Sequence, residues 1–209
     1  MNEPPGFTDF TIGPLEPSQR SRVAEILRSA ENFRDDEVDV ALELFDASFA
    51  GENYVFVGAF SGLGTGDWGL GREPSIAEEI SARVDASRPS PRSLVPSPQL
   101  VGFACYGPTM ATDRTYDLYW IAVDRAAQGT GCGSVLLSEV ERRLEALHAR
   151  MLVIETSSRS DYAATRNFYL RRGYVEAARV REFYAPQDDR IILTKRLAGS
   201  PREGWGAVA

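Results

Sequence analysis

The stretch Val123-Asp124-Arg125-Ala126-Ala127-Gln128-Gly129-Thr130-Gly131-Cys132-Gly133-Ser134-Val135-Leu136-Leu137 decides the fold. Three alternating glycines stand between an apolar, strand-like run and an amphipathic helical pattern. Glycine lets a backbone turn tightly and approach a ligand with no Cβ in the way. At a helix N-terminus such a turn offers unpaired N–H groups and the positive end of the helix dipole. That combination suits a phosphate or pyrophosphate. The plain alternative is a structural helix cap.

Two familiar glycine motifs do not fit. A dinucleotide fingerprint needs G-x-G-x-x-G, and here Ser134 stands where the third glycine would fall. A Walker-type loop ends in Gly-Lys-Ser/Thr, whereas the only lysine in the chain is Lys195. Gln/Arg-x-x-Gly-x-Gly/Ala does fit, as Gln128, Gly131 and Gly133. With Val123 upstream and Val135-Leu136-Leu137 after it, the segment resembles the coenzyme A signature of the GNAT acyltransferase superfamily. That resemblance implies that Gln128, Gly129, Thr130, Gly131, Cys132, Gly133 and Ser134 bind the donor, acetyl-CoA.

Composition sets the outer bounds. The 209 residues, 43% of them apolar, suit one domain with a real core. A net charge of −7 and a pI near 4.9 argue against a nucleic-acid or anionic-membrane binder and favour amine partners. An anionic ligand must then be held by local N–H groups and a few arginines. Cys105 and Cys132 show no metal or redox spacing, and the single histidine, His148, stands among charged residues near a helix end. Neither thiol catalysis nor a metal site is expected. No long apolar or signal-like segment is present, so the chain reads as cytoplasmic.

Along the chain, residues 1–18 hold four of the twelve prolines and suggest only one short strand, Phe10-Thr11-Ile12. A helix follows, with Ser18 or Ser21 as N-cap and Val23, Ile26 and Leu27 on one face. A second places Val38, Leu42, Phe45 and Phe49 at helical spacing. Tyr54–Phe60 and Leu100–Tyr106 read as partner strands. Between them, residues 61–98 are an insertion: glycine-rich at first, then a short helix at 75–85, then a serine- and proline-rich run. Such a connection is a lid, a binding loop or disorder. Thr115–Val123 reads as a strand, and Val135, Leu136, Val140, Leu144 and Leu147 stripe the helix after the glycines. Met151–Ile154 is a short strand closed by Glu155. Asp161 can cap a helix that Gly173 terminates. Strands near 174–184 and 190–197 are joined by the turn Pro186-Gln187-Asp188-Asp189. The expected fold class is α/β, a mixed central sheet flanked by helices, in a single domain over 1–197 with a tail over 198–209. This order of elements is the one the GNAT superfamily has.

Transfer of an acetyl group to an amine needs three things: loss of an amine proton, polarisation of the thioester carbonyl, and protonation of the departing thiolate. By resemblance, the strand before the glycines supplies backbone N–H groups, here those of Ile121, Ala122 and Val123. Tyr169 lies in Phe168-Tyr169-Leu170-Arg171-Arg172-Gly173-Tyr174, which looks like the family's helix motif whose tyrosine is the general acid. A phenol is protonated at neutral pH, as an acid must be. Many family members carry asparagine seven residues before that tyrosine, where this chain has Tyr162. Glu155 is the candidate general base, raised toward working pH by partial burial. Asp117 is in reserve because it shares strand parity with Tyr119, Ile121 and Val123. Acidic residues between the first two helices (Glu31, Asp35, Asp36, Glu37) could attract a cationic amine or simply serve a helix N-terminus. Tyr116, Tyr119, Trp120, Phe183 and Tyr184 could shape a pocket or fill the core.

The reading is an N-acetyltransferase that moves an acetyl group from acetyl-CoA to a primary amine, small molecule or peptide, by direct transfer in a ternary complex. The alternative is a catalytically silent acyl-CoA sensor or assembly partner. The sheet edges and last hairpin could pair with a second copy.

Overall fold

The computed structural model describes residues 10–30, 33–62 and 98–197. The expected helix at 75–85, nearly all of the 61–98 insertion, Glu31 and the C-terminal tail lie outside them. Seven strands form one sheet in the order β1-β2-β3-β4-β5-β7-β6. The strands are β1 (Phe10–Pro14), β2 (Val55–Ser61), β3 (Gln99–Pro108), β4 (Thr115–Val123), β5 (Met151–Ser157), β6 (Val175–Ala185) and β7 (Asp188–Arg196). The helices are α1 (Arg20–Ser29), α2 (Asp35–Phe49), α3 (Cys132–Ala146) and α4 (Ala163–Leu170). All neighbours are antiparallel except β4 and β5. The expected α/β class and element order hold.

Two apolar clusters sandwich the sheet. On one face α1 and α2 bury Val23, Ile26, Leu27, Val38 and Phe45 against Phe56 and Phe103. On the other, α3 and α4 bury Leu136, Val140, Leu144 and Tyr169 against Val57, Leu152 and Ile154. The helical stripes follow from the 3.6-residue period, but their ends do not reach the core: Phe49, Val135 and Leu147 are exposed. On α3 the adjacent Leu137 is buried instead of Val135.

Several local expectations are corrected. Neither Ser18 nor Ser21 caps α1; a 3₁₀ turn, Pro17–Gln19, leads into it, and the Gln19 side chain accepts from the Glu16 N–H at 2.8 Å. Asp161 lies inside another 3₁₀ turn, Ser160–Tyr162, and its carboxylate pairs with Arg159 instead of capping α4. Asp188 and Asp189 belong to β7, so the last hairpin turns on Pro186-Gln187, with Gln187 at φ 66°. Glu155 sits within β5, opposite Ile192 of β7, rather than closing the strand.

Two departures from regular pairing create the site. The β4–β5 ladder runs only from Thr115↔Met151 to Leu118↔Ile154. Beyond that pair the strands separate, and β4 continues for five residues beside β3 alone. A register shift against Cys105/Tyr106 also leaves Tyr119 as an extra residue in β4. Such a bulge reverses the faces that follow it. Tyr116 and Leu118 face the α3 cluster, Trp120 and Ala122 face the α1–α2 cluster, and Ile121 and Val123 face α3 again. The parity expected to join Asp117 with Ile121 and Val123 is therefore broken.

Candidate active site

The fork between β4 and β5 opens a cleft of about 800 Å³. The glycine turn forms one wall. Gly129 and Gly131 have φ values of 78° and 93°, the left-handed region that glycine enters without strain, and nothing lies within 4 Å of a Cβ built on either. Gly131 is the N-cap of α3, and its carbonyl accepts from the N–H groups of Ser134 and Val135 at 2.9 and 3.1 Å. The N–H groups of Cys132 and Gly133 come before the first intrahelical bond and have no acceptor within the helix. They lie at the positive end of the α3 dipole.

The turn is braced from behind. Asp124 accepts from the Ala126 N–H at 2.9 Å and from Arg22 of α1 at 2.5 Å. The Ala126 N–H, and after it Arg22, holds the Asp124 carboxyl below its usual range. Gln128 donates its side-chain amide to the Val123 carbonyl at 3.2 Å, and the Thr130 hydroxyl donates to the Ala127 carbonyl at 2.6 Å. Thr130 is the one expected loop residue that is not on the cleft wall; Gln128, Gly129, Gly131, Cys132, Gly133 and Ser134 are. Cys132 is buried against Gly102, and burial pushes its thiol up to about 11; the buried Cys105 thiol is likewise raised. Neither is a ready thiolate.

Backbone donors come from β4. Antiparallel ladder bonds alternate, and the Asp124 N–H donates to the Val101 carbonyl. Ala122 is therefore the next residue bonded to β3, while the polar groups of Ile121 and Val123 point the other way, into the fork. Of the three expected donors, Ala122 turns its N–H to the ladder.

Glu155 is the first residue of β5 past the last β4–β5 pair, so it stands at the root of the fork. Its side chain is 40% exposed and forms an ion pair with Arg190 of β7. The Arg190 guanidinium also lies 4.8 Å from the Phe183 ring centre. Tyr169, in the last turn of α4, is 3% exposed and lies between Phe168 and Tyr174. Burial raises its phenol well above the ordinary value, so it keeps its proton at neutral pH. Glu155 and Tyr169 both line the cleft.

Two cations that sequence reasoning did not single out also line it, Arg171 and Arg172. Arg172 lies 3.7 Å over the Phe168 ring, donates to the Phe168 carbonyl at 2.8 Å and hydrogen-bonds Ser134. Adjacent arginines at a helix end were the available signal. Tyr162 stands at the α4 N-cap on the same wall, with its phenol pushed up to about 12, mainly by burial. The donor set of helix-end N–H groups, a glycine turn open to close approach and two guanidiniums fits a phosphate-bearing ligand. No His/Cys/Asp/Glu cluster among the described residues could hold a metal ion, and no helix among them is long and apolar enough to cross a membrane.

Residues 97–176, which include the glycine turn, match the model of the acetyltransferase (GNAT) domain. A comparison with curated sequences finds no match. Among solved structures, a protein of the GNAT acetyltransferase family from Desulfovibrio desulfuricans is 32% identical, with 91% of this chain and all of that chain covered and a TM-score of 0.69. The ribosomal-protein-S18-alanine N-acetyltransferase of Escherichia coli shares the fold at 20% identity, covering 95% and 100% of the two chains, with a TM-score of 0.63. The protein yncA from Salmonella typhimurium, solved with acetyl-CoA, does so at 17% identity, 90% and 94% coverage and a TM-score of 0.58. The fork, the glycine turn and the full-length likeness to the Desulfovibrio protein lead to one assignment: the chain belongs to the GNAT acetyltransferase family.

Proposed function

We propose that the protein is an N-acetyltransferase that moves an acetyl group from acetyl-CoA directly to a primary amine, both substrates being bound at once. One observation carries this reading: Glu155 and Tyr169 converge on a single cleft whose other wall is the glycine turn. The N–H groups of Cys132 and Gly133, with Arg171 and Arg172 nearby, hold the donor's phosphates. The thioester supplies an electrophilic carbonyl, which the Ile121 and Val123 N–H groups polarise.

Glu155 takes the amine proton. Its carboxylate is partly exposed to the cleft and pairs with Arg190, and is not enclosed by apolar groups as the sequence suggested. The amine nitrogen bonds to the acetyl carbon, the carbon–sulfur bond breaks, and the Tyr169 hydroxyl gives its proton to the thiolate. In the test, free-thiol release with an amine present falls about 100-fold or more in Glu155→Gln, while acetyl-CoA affinity is retained. Equal turnover in that variant contradicts the assignment of the base.

A further inference from the structure

We propose that the amine acceptor carries a second cationic group, bound in a carboxylate- and aromatic-lined pocket beside the cleft. The inference rests on the acetyltransferase reading above. A cavity of about 390 Å³ adjoins the cleft and shares Tyr119, Trp120, Glu155, Thr156 and Tyr162 with it. It lies on the side of β4 and β5 toward α2, and its wall carries Glu37, Asp117, Glu155 and Asp188. Of its two guanidiniums, Arg159 bonds Asp161 at 2.5 Å, a carboxylate off this wall, whereas Arg34 bonds Asp36 at 3.0 Å and also pairs with Glu37 of the wall at 3.9 Å.

Two of the carboxylates lack a cation. Asp188 is 8% exposed, and its carboxylate accepts from the Ser157 hydroxyl at 2.5 Å. Asp117 accepts from the Thr109 hydroxyl at 2.7 Å. No ion pair to either is formed among the described residues. Held out of water with only a hydroxyl partner, the Asp188 carboxylate favours a nearby ammonium. Tyr119, Trp120 and Tyr184 add aromatic rings that attract cations, while Arg159 already lies 5.9 Å from the Tyr162 ring centre. Thr156, 6% exposed, lies on the wall of both cavities, and its hydroxyl has no partner. A bound acceptor would supply one.

Burial raises the phenols of Tyr119, Tyr162 and Tyr184; Asp117 raises Tyr119 further and Asp188 with Glu37 raises Tyr184, whereas at Tyr162 the effect of Glu37 is opposed by Arg159 and Arg34. Four carboxylates stand against two guanidiniums on this wall, a negative balance that suits a cation.

The test compares kcat/KM from acetyl-CoA thiol release for two matched pairs, cadaverine against pentylamine and glycyl-lysinamide against glycyl-leucinamide. The dicationic member of at least one pair is preferred about tenfold. The responding pair tells whether the source is a small diamine or a peptide. The preference shrinks as salt rises, and it falls toward unity in Asp188→Asn and, independently, in Asp117→Asn. Turnover without preference in either pair, or a preference unchanged in both variants, overturns the inference and leaves the acetyltransferase reading standing. Binding of acetyl-CoA with no thiol release for any amine overturns both.

Discussion

Tyr169 and Glu155 line one cleft in contrasting environments, the first buried among rings and the second partly exposed beside Arg190. The Tyr169 phenol is enclosed by Phe168 and Tyr174, and burial raises it, so it carries its proton at neutral pH. Tyr169→Phe keeps the ring and its packing, and we expect turnover to drop about tenfold or more with little change in acetyl-CoA affinity by calorimetry. Full turnover in that variant would remove the general-acid role. The placement of both residues on one cleft follows from local patterns: an apolar strand carrying a carboxylate, and a helix motif ending in Phe-Tyr. Arg190, the partner of Glu155, was not legible. It comes from β7 and reaches Glu155 only because β7 pairs with β5, which no local spacing encodes.

At the scale of elements, the glycine turn and α3 act as one unit. Gly131 has open space around its missing Cβ, so Gly131→Ala meets no clash; the cost lies in holding alanine at φ 93°. We expect a loss of about 1–2 kcal/mol in urea unfolding and weaker acetyl-CoA binding. An unchanged affinity would separate the turn from the donor site. On the far side of α3, Glu139 accepts from Arg142 at 2.8 Å and from Arg143 at 2.7 Å, which holds its carboxyl down at about 2. A carboxyl lowered on folding adds stability above its unfolded value near 4.5, and that stability is lost as the pH falls through about 2. Allowing for the exposure of Arg142, we expect on the order of 1–2 kcal/mol. The acid limb of unfolding should flatten by that amount in Glu139→Gln. The glycine turn could be read from sequence because glycine is itself the signal. The β4 bulge could not, because Tyr119 looks like any aromatic strand residue, and only its pairing with β3 shows that the faces change there.

At the scale of the whole molecule, the site exists because one sheet holds two cores and one incomplete parallel pair. The α1–α2 layer and the α3–α4 layer fix the two faces, and the end of pairing at Leu118↔Ile154 lets the strands part between them. The donor elements lie toward α3, and the carboxylate pocket lies toward α2, with Glu155 and Thr156 on the walls of both cavities. The strand and helix order was readable from periodicity, whereas the extent of the fork was not, since Tyr119–Val123 would be equally apolar if β5 had followed it. The most direct measurement is a single reaction of the protein with acetyl-CoA and a primary amine, read both as free thiol and as the mass of the amine. The account predicts thiol release that depends on the amine and is matched mole for mole by acetylated amine. Acetyl-CoA binding with neither product would contradict it.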